Sequence, residues 1–336
     1  MANPSRGREF DIISKYFQPL SQGADEALGL MDDAAVLSVP AGRQLVVTTD
    51  AVVGGVHFLE SLSPEDVAHK VVGVNLSDLA AMGATPHAVF LAAQFSIGLP
   101  EDWIAAFAAG LQAALEPSGA RLLGGDTVST PGPMAFTITA LGHVGDGRAL
   151  MRSGARQGDL VLATGAIGDG ALGLAVLKGE IEGLSAQHRD HLARRYARPQ
   201  PRWDFAMELS KRGLASAAID VSDGLVADLG HICKASGVTA TIEAEQVLLS
   251  DAARAALEKY PERLQDIFTG GDDYELVFTA SENALADLEE LSEMLSLPLS
   301  VIGRIEPLDE ACDESVQVLD TNGHPILLGP GGYRHL

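Results

Sequence analysis

Aspartates beside small residues recur at six separate places along the chain. At one of these places, Thr48, Thr49 and Asp50 directly follow the apolar run 45–47, which we interpret as a strand. Hydroxyl and carboxylate oxygens are the ligands that Mg²⁺ prefers, and Mg²⁺ usually completes its shell with waters and substrate phosphates. The pattern therefore predicts a magnesium site at the end of a strand. An ordinary polar turn would give the same local pattern, so the argument depends on the recurrence.

The other acidic motifs share one property, which is that glycine, alanine or a small hydroxyl residue flanks the carboxylates. They are Asp32-Asp33, Asn75 to Asp78, Gly124 to Thr127, Asp220 to Gly224 and Gly270 to Asp273. Small neighbours let a ligand and its metal ions approach the backbone closely, whereas ordinary solvated surface mixes its acids with lysine and arginine. The recurrence indicates that the carboxylates hold divalent cations for an anionic ligand.

The composition excludes several classes of protein. The chain has 336 residues, with 46 acidic and 23 basic side chains, and a formal charge of −23 opposes binding to nucleic acid. No apolar run approaches the ~20 residues that span a bilayer, so we expect no membrane segment. The N-terminus lacks the pattern of a secretory signal, and we expect a cytoplasmic protein. The two cysteines show no metal-ligand spacing, which argues against a zinc site or a disulfide framework.

Few other side chains suit catalysis. His57 has no histidine or cysteine neighbour, so we interpret it as a hydrogen-bonding contact to substrate rather than a base. Arg152 is one of few cations near the acidic motifs, and its guanidinium suits a phosphate, although a surface ion pair explains it equally well. Neither a Gly-x-Ser-x-Gly elbow nor a glycine-rich loop ending in Gly-Lys-Ser or Gly-Lys-Thr is present, so a serine hydrolase and a P-loop enzyme are not indicated.

One pattern points to a different function. Gly168 to Gly173 satisfies the Gly-x-Gly-x-x-Gly fingerprint of dinucleotide-binding folds, between a predicted strand and a predicted helix. That fold also needs a second strand ending in an acid about 20 residues later, and none follows here. We therefore interpret the glycines as a site of close helix packing and keep a dehydrogenase as an alternative.

Hydrophobic periodicity gives the elements that must position these motifs. In the N-terminal part it predicts helices over 9–20, 64–82 and 101–116, and strands over 29–39, 87–97 and 134–144, with another strand ending at Leu123. In the C-terminal part it predicts helices over 170–178, 186–197, 201–212, 224–236, 250–260 and 282–295, and strands over 160–163, 216–221, 238–243, 274–279 and 299–306. The stretch 145–158, rich in glycine and arginine, is the best boundary between two α+β domains.

In combination, the motifs resemble the aminoimidazole-ribonucleotide-synthetase superfamily and, within it, the thiamine-monophosphate kinases, nearly end to end. The segments that carry the resemblance are Thr48 to Asp50, 74–84, Leu123 to Thr127 and 147–155, while Ile219 to Leu225 and Gly270 to Leu276 mark the kinase branch. The resemblance implies transfer of phosphate from ATP to thiamine phosphate, giving thiamine diphosphate and ADP. A synthetase of the same superfamily, of aminoimidazole-ribonucleotide or selenophosphate type, and a silent module that binds ATP and Mg²⁺ remain alternatives.

The resemblance also implies roles for single residues. Several Mg²⁺ ions would be held by Asp33, Thr48, Thr49, Asp50, Asp78, Asp126, Asp220 and Asp223. ATP would contact Gly125, Asp126, Arg152 and Ser222, thiamine phosphate would contact His57, Asp272 and Tyr333, and Asp50, Asp126 and Arg152 would act in catalysis. The chain departs from the family pattern at Met31, where glycine is usual, and at Asp272, where the usual glutamate reaches one methylene further.

The architecture that the resemblance implies has two α+β domains side by side, over 1–148 and 149–310, with the active cleft between them. A tail over 311–336 would close the substrate site. The protein would be a homodimer in which N-terminal strands of two chains form a shared barrel.

Overall fold

The computed structural model describes residues 10–308 and 315–329 of a chain that divides into two compact units. The first unit comprises Met1–Leu79 and Thr85–Gly147, and the second comprises Ala80–Ala84 and Arg148–Leu336. Each unit combines helices with a sheet, so the α+β class predicted from the sequence is confirmed.

The first unit is built on a mixed sheet. Its strands are β1 (Arg43–Val53), β2 (Thr85–Ser96), β3 (Arg121–Thr130) and β4 (Ala135–Gly145). Among the described residues the strand order is β1-β4-β2-β3, with β4 antiparallel to both of its neighbours and β3 parallel to β2. Since β1 and β3 are the edges, each leaves one row of backbone N–H and C=O groups outside the ladder.

Two helices, α1 (Pro64–Ala81) and α2 (Glu101–Leu115), pack on this sheet and confirm the helices predicted over 64–82 and 101–116. Phe107 of α2 stacks on Phe136 of β4 with ring centroids 4.5 Å apart. The helices cross closely, because a Cβ added at Gly110 would lie 2.7 Å from the Glu65 Cα. Asp78 and Asn75 of α1 form hydrogen bonds with Thr48 and Asp50 of β1, so this helix lies beside the strand.

The helix predicted over 9–20 is irregular in the structure. Ile13–Phe17 forms a π-helix and Gln18–Ser21 a 3₁₀-helix. Pro19 lies in the second turn and cannot donate a backbone N–H, which prevents a regular α-helical ladder there.

The strand predicted over 29–39 is wrong. Asp25–Leu30 forms a 3₁₀-helix, and residues 31–39 are in no strand. Leu28 and Leu30 have φ angles of 49° and 55°, in the left-handed region. Such a conformation turns the chain and is incompatible with extended pairing.

The second unit has a larger sheet. Its strands are β5 (Leu160–Thr164), β6 (Ala217–Asp220), β7 (Val238–Glu243), β8 (Leu276–Ala280), β9 (Leu299–Pro307) and β10 (Val316–Leu319). Over the part of the chain that the structure describes, their order is β10-β7-β9-β5-β8-β6. The strands predicted in this half are confirmed to within two residues, and the short β10 was not predicted.

The helices of the second unit follow the predictions closely. They are α3 (Asp169–Leu177), α4 (Ala186–Ala197), α5 (Trp203–Arg212), α6 (Leu225–Ser236), α7 (Asp251–Lys259), α8 (Leu264–Thr269) and α9 (Leu285–Leu295). Only the short α8 was not predicted. Within residues 10–308 and 315–329, no helix is long and apolar enough to cross a membrane.

The sheet of the second unit is buried on both faces. Along β5, Val161 and Ala163 belong to one hydrophobic core cluster, and Leu160 and Leu162 belong to another. Because successive side chains of a strand point to opposite faces, the two clusters lie on opposite sides of the sheet. Residues of α3, α6 and α7 fill the first cluster, and residues of α5 and α9 fill the second.

Candidate active site

A cavity of about 400 Å³ in the first unit brings two of the acidic motifs together. Its wall includes Asp32 and Asp33, from the loop after the first 3₁₀ turns, and Asp126 from β3. Gly125 and Thr127 lie beside Asp126 in the same wall, and most of the remaining lining is apolar. A cavity with carboxylates on one part and apolar side chains on the rest suits a ligand that has both a polyanionic and an apolar part.

Glycines in β3 make this placement possible. The strand continues through Gly124 and Gly125, so the end predicted at Leu123 is wrong. A Cβ added at Gly125 would lie 1.9 Å from the carbonyl oxygen of Leu91 on β2. Only glycine lets the two backbones approach so closely, and this explains why glycines precede Asp126 in the motif.

The other acids of the first unit cluster between β1 and α1. The Thr48 hydroxyl donates to Asp78 at 2.6 Å, and the Asp50 N–H donates to the side-chain oxygen of Asn75 at 3.0 Å. Asn75 and Asp78 are three residues apart on one face of α1, as the sequence predicts. Thr49 points to the other side of the strand, where its hydroxyl donates to a β4 carbonyl at 3.0 Å.

These two groups of acids lie at opposite edges of one sheet. The register places Asp50 opposite Ile138 on β4, Ile138 opposite Leu91 on β2, and Leu91 opposite Gly125 on β3. Neighbouring strands are about 4.8 Å apart, so three steps separate the backbones by about 14 Å. Within one chain, Asp50 and Asp126 therefore belong to distinct clusters.

His57 lies in the turn that follows β1. Its Nδ1 accepts the Val53 N–H at 3.0 Å, and the His57 backbone N–H donates to the Val53 carbonyl at 2.9 Å. Gly55, with φ of 77°, allows the chain to fold back on itself. Because Nδ1 is an acceptor, the neutral ring carries its proton on Nε2 and is a donor there. This geometry fits a hydrogen-bonding contact better than a general base.

The chemistry of the donors fits a hard cation. Both clusters offer carboxylate and hydroxyl oxygens, which Mg²⁺ prefers. Within the described ranges, no three His, Cys, Asp or Glu side chains come close enough to hold a metal ion by themselves. Mg²⁺ typically takes one or two carboxylates and completes its shell with waters and substrate phosphates, so small groups of acids suit it.

In the second unit, the loop after β6 and the loop before β8 are joined by backbone hydrogen bonds. The Asp272 N–H donates to the Ser222 carbonyl at 2.9 Å, and the Tyr274 N–H donates to the Val221 carbonyl at 2.8 Å. A Cβ added at Gly271 would lie 2.1 Å from the Ser222 carbonyl oxygen. The residue predicted to contact ATP, Ser222, and the residue predicted to contact substrate, Asp272, are thus brought side by side.

The loop before β8 is strained. Asp272 and Tyr274 have φ angles of 71° and 52°, which cost non-glycine residues about 1–3 kcal/mol each and recur at functional sites. The Tyr274 hydroxyl donates to the Asp272 carboxylate at 3.3 Å. Burial raises the pKa of Tyr196, and the nearby Asp272 carboxylate raises it further. The Asp272 side chain therefore lies near two phenols.

Glu275, at the end of this loop, is fully buried. Its carboxylate accepts hydrogen bonds from Arg195 at 2.9 Å, from Arg202 at 2.5 and 2.7 Å and from the Thr164 hydroxyl at 2.7 Å. Arg195 also donates to the Asp273 carbonyl at 3.0 Å. Glu275 thus anchors the loop and does not face a ligand.

The glycine fingerprint has a packing role. The Asp273 carboxylate accepts the N–H groups of Gly168 and Gly170 at 2.7 and 2.9 Å, at the helix N-terminus where a dinucleotide phosphate would bind. Burial raises the pKa of Asp273 to about 7, while these two bonds lower it. A Cβ added at Gly173 would lie 2.1 Å from the Leu192 carbonyl oxygen of α4. The protein's own carboxylate takes the anion position, so the structure does not support a dehydrogenase.

The backbones of Arg152 and Ser222 lie near opposite ends of α6. The Arg152 carbonyl accepts the hydroxyl of Ser236, the last residue of α6, whereas Ser222 precedes the first turn of that helix. A helix of 12 residues is about 18 Å long. Of the two acids predicted to bind metal here, Asp220 is buried at the end of β6 and Asp223 is half-buried in the next loop.

Sequence reasoning overlooked Asp228 of α6, whose carboxylate binds the loop that precedes the helix. The available signal was a charged residue on the apolar face between Leu225 and Leu229. The sequence motif includes Asp32 only as the neighbour of Asp33, the predicted metal ligand, whereas in the structure Asp32 also lines the cavity. Tyr333 lies outside the described residues.

Family comparison covers both units. Residues 31–144 match the family described as AIR synthase related protein, N-terminal domain. Residues 156–311 match the family described as AIR synthase related protein, C-terminal domain.

Individual relatives are similar over nearly the whole chain. Thiamine-monophosphate kinase of Escherichia coli (strain K12) is 40% identical over 329 residues, which cover 97% of this chain and 98% of the relative. The crystal structure of thiamine-monophosphate kinase from Stenotrophomonas maltophilia K279a is 39% identical, with a TM-score of 0.82 over 91% of this chain and 95% of that one. The structure of AaThiL complexed with AMPPCP and TMP is 31% identical, with a TM-score of 0.77 over 89% of each chain.

Proposed function

Because the chain belongs to the AIR synthase related family and, within it, to the thiamine-monophosphate kinases, we propose that it transfers the γ-phosphate of ATP directly to thiamine phosphate. The products are thiamine diphosphate and ADP. The observation that carries the proposal is the cavity where Asp33 and Asp126, far apart in the sequence, share one wall. Its acidic and apolar parts suit the phosphates and the base of ATP. The ligands of the similar AaThiL structure, AMPPCP and TMP, support the same substrate pair.

The residues that would hold Mg²⁺ are acids and hydroxyls of both units. They are Asp33 and Asp126 at the cavity, Thr48, Asp50 and Asp78 on or beside β1, Thr49 on the other side of β1, Asp220 at the end of β6 and Asp223 in the loop that follows. Bound Mg²⁺ supplies neutralisation of the phosphate charge and a template for the phosphates. In the first unit, Gly125 lets the β3 backbone approach a phosphate closely. In the second unit, the exposed guanidinium of Arg152 suits a charged contact to a phosphate.

The acceptor needs no general base. The second pKa of a phosphate monoester is about 6, so thiamine phosphate is largely a dianion at neutral pH. Catalysis then depends on positioning and on screening of charge. Asp272, fixed beside Ser222, orients the acceptor in the second unit, and His57 donates a hydrogen bond from Nε2 in the first.

The first unit also supports a homodimer. Its edge strands β1 and β3 are long, and the edge residues Val47 and Val128 are 56% and 44% exposed. An exposed apolar edge strand is a template for pairing with another chain. Two such sheets joined at both edges by a two-fold axis would form a closed barrel. Sedimentation should show a dimer at micromolar concentration, and Val47→Lys should weaken it. A monomeric parent protein would contradict this part of the proposal.

Two other functions predict different outcomes with ATP. A synthetase of the same superfamily would consume ATP with another acceptor, and a silent module would bind ATP without turnover. The kinase is favoured because the two loops of the kinase branch pair directly in the structure, and because thiamine-monophosphate kinases are similar over nearly the full chain.

Product analysis tests the proposal. The protein is incubated with γ-labelled ATP and Mg²⁺, together with thiamine phosphate or with thiamine, and the products are separated by chromatography. We expect label in thiamine diphosphate, only with thiamine phosphate and only until EDTA removes the metal. Asp126→Asn should be inactive, whereas Asp146→Asn, at an exposed position beyond β4, should be active. Label that appears only in inorganic phosphate, or no turnover of ATP, would contradict the assignment.

A further inference from the structure

One buried aspartate fixes the loop that carries Ser222 and Asp223. Oδ2 of Asp228, in the first turn of α6, accepts the backbone N–H groups of Ser222, Asp223 and Gly224 at 3.0, 3.0 and 3.1 Å. The residue is only 2% exposed. With three donors on one oxygen and almost no exposed surface, Asp228 serves the loop and does not touch a ligand.

The loop needs such an acceptor. N–H groups at the start of a helix have no partner within the helix, and a buried unpaired donor is destabilising. The loop cannot easily rearrange to find other partners, because a Cβ added at Gly224 would lie 2.8 Å from the Thr269 carbonyl, and Gly224 has φ of 125°. The Asp228 carboxyl group, one turn along the helix, pairs with all three N–H groups at once.

The Ser222 residue is held from both sides. Its N–H donates to Asp228, and its carbonyl accepts the N–H of Asp272. Removing the Asp228 carboxylate would therefore release one side of Ser222 and leave the other in place. The expected disturbance is a local shift of residues 222–224 rather than loss of the fold.

We infer that Asp228 is a positioning residue for phosphoryl transfer, which holds Ser222 and Asp223 where they bind ATP and Mg²⁺. The inference rests on the proposed function of this loop. A displacement of about 1 Å in a positioned group can lower the rate about 100-fold. Loss of a residue that orients a metal ligand typically weakens metal affinity or activity about 10–100-fold. Asp228 can thus control turnover without contacting either substrate.

Two substitutions at Asp228 distinguish loss of the acceptor from a change in the kind of acceptor. Asp228→Ala removes the acceptor, whereas Asp228→Asn keeps a carbonyl oxygen that can accept N–H groups. The matched control is Asp251→Ala, because Asp251 is an exposed aspartate in the first turn of α7. For Asp228→Ala we expect the Mg²⁺ concentration at half-maximal rate to rise about 10–100-fold, with a smaller change in KM for thiamine phosphate. Asp228→Asn should be intermediate, and Asp251→Ala should match the parent.

Hydrogen exchange gives a readout that does not depend on catalysis. In Asp228→Ala the amides of residues 222–224 should exchange about 10–100-fold faster, because each loses its hydrogen-bond acceptor. The amides of β8, which make no bond to Asp228, should exchange as in the parent.

Faster exchange confined to the loop, together with the raised Mg²⁺ requirement, would support the inference. Exchange or kinetics like those of the parent would overturn it. The inference would also be overturned if kcat, every KM, the melting temperature and exchange across the whole unit changed together. That pattern indicates general destabilisation. If Asp228→Ala does not fold, the same criteria apply to Asp228→Asn. If the parent protein makes no thiamine diphosphate, the proposed function is wrong. Hydrogen exchange and calorimetric binding of ATP and Mg²⁺ then still decide whether Asp228 positions the loop.

Discussion

Replacing Glu275 with glutamine tests the anchoring role of the fully buried acid before β8. Its carboxylate lies against the guanidinium groups of Arg195 and Arg202. Glutamine keeps the shape and one carbonyl oxygen but removes the negative charge, which leaves two cations in a buried environment without their counter-charge. Removing one side of a buried ion pair is more destabilising than removing the whole pair, so we expect a clear loss of stability.

The size of the effect follows from the burial of the cations. Breaking a buried ion pair on one side costs about 3–5 kcal/mol of unfolding free energy. The side chains of Arg195 and Arg202 remain 9% and 18% exposed, and partial hydration favours the lower part of that range, about 3–4 kcal/mol. In a unit of about 150–250 residues each kcal/mol lowers the melting temperature by about 2–4 °C, so we expect a decrease of about 6–16 °C.

The assay is thermal unfolding followed by circular dichroism and calorimetry. Glu289→Gln is the matched control, because Glu289 is exposed on α9, and it should melt with the parent. A melting temperature for Glu275→Gln within about 2 °C of the parent would contradict the anchoring role of Glu275, since one-sided loss of a buried pair should cost more. A variant that is fully stable and yet inactive would refute it too, because Glu275 would then act on the reaction and not on the fold.

Three further predictions concern the loops, the metal site and pH. Gly271→Ala places a Cβ 2.1 Å from a carbonyl oxygen of the adjacent loop, and overpacking of this kind costs about 1–3 kcal/mol, so melting temperature and affinity for thiamine phosphate should fall. The control is Gly132→Ala, where the added Cβ makes only ordinary contacts, and it should change neither the melting temperature nor the affinity. If Gly271→Ala leaves both properties unchanged, the two loops are not tightly packed. Asp50→Asn should abolish turnover and leave the circular dichroism spectrum unchanged, because a neutral amide cannot match a carboxylate's charge toward Mg²⁺. Asp146→Asn is the control. Turnover by Asp50→Asn at the wild-type rate would contradict the assignment of Asp50 as a metal ligand. Burial lowers the pKa of His143 below its ordinary value of 6.5, so its contribution to stability is present above about pH 6.5 and is lost as the pH falls through the lowered pKa. His143→Gln should therefore flatten the acid side of a plot of melting temperature against pH, and an equally steep plot would contradict this reading.

Regular elements with a strong apolar period were predicted well, because burial of one face decides them locally. In α1, Val67, Val71 and Leu79 recur at helical spacing and are buried as predicted. The segment 29–39 failed for a physical reason. Its apolar residues resemble a strand, yet Val36 is 67% exposed, and a strand forms only where a pairing partner is available, which the segment's own sequence does not encode.

The site was predictable by residue type and not by arrangement. Asp33 and Asp126 stand out in the sequence because small residues flank them, but their meeting at one cavity depends on tertiary packing. The sequence could not separate acids that face a ligand from acids that bind the protein's own groups. Asp273 and Glu275 belong to the same motif as Asp272, and only the structure shows that they bind backbone N–H groups and arginines.

In the proposed reaction, the phosphoryl group passes directly from ATP to thiamine phosphate. Among the described residues no histidine, serine or cysteine is placed as an activated nucleophile, and the acceptor is already an anion. Direct in-line transfer inverts the configuration at phosphorus, whereas two successive transfers through a phosphorylated enzyme retain it. The most direct measurement supplies ATP made chiral at its γ-phosphorus and reads the configuration in the thiamine diphosphate formed. We predict inversion. Retention, or a labelled phosphoenzyme trapped without acceptor, would contradict direct transfer.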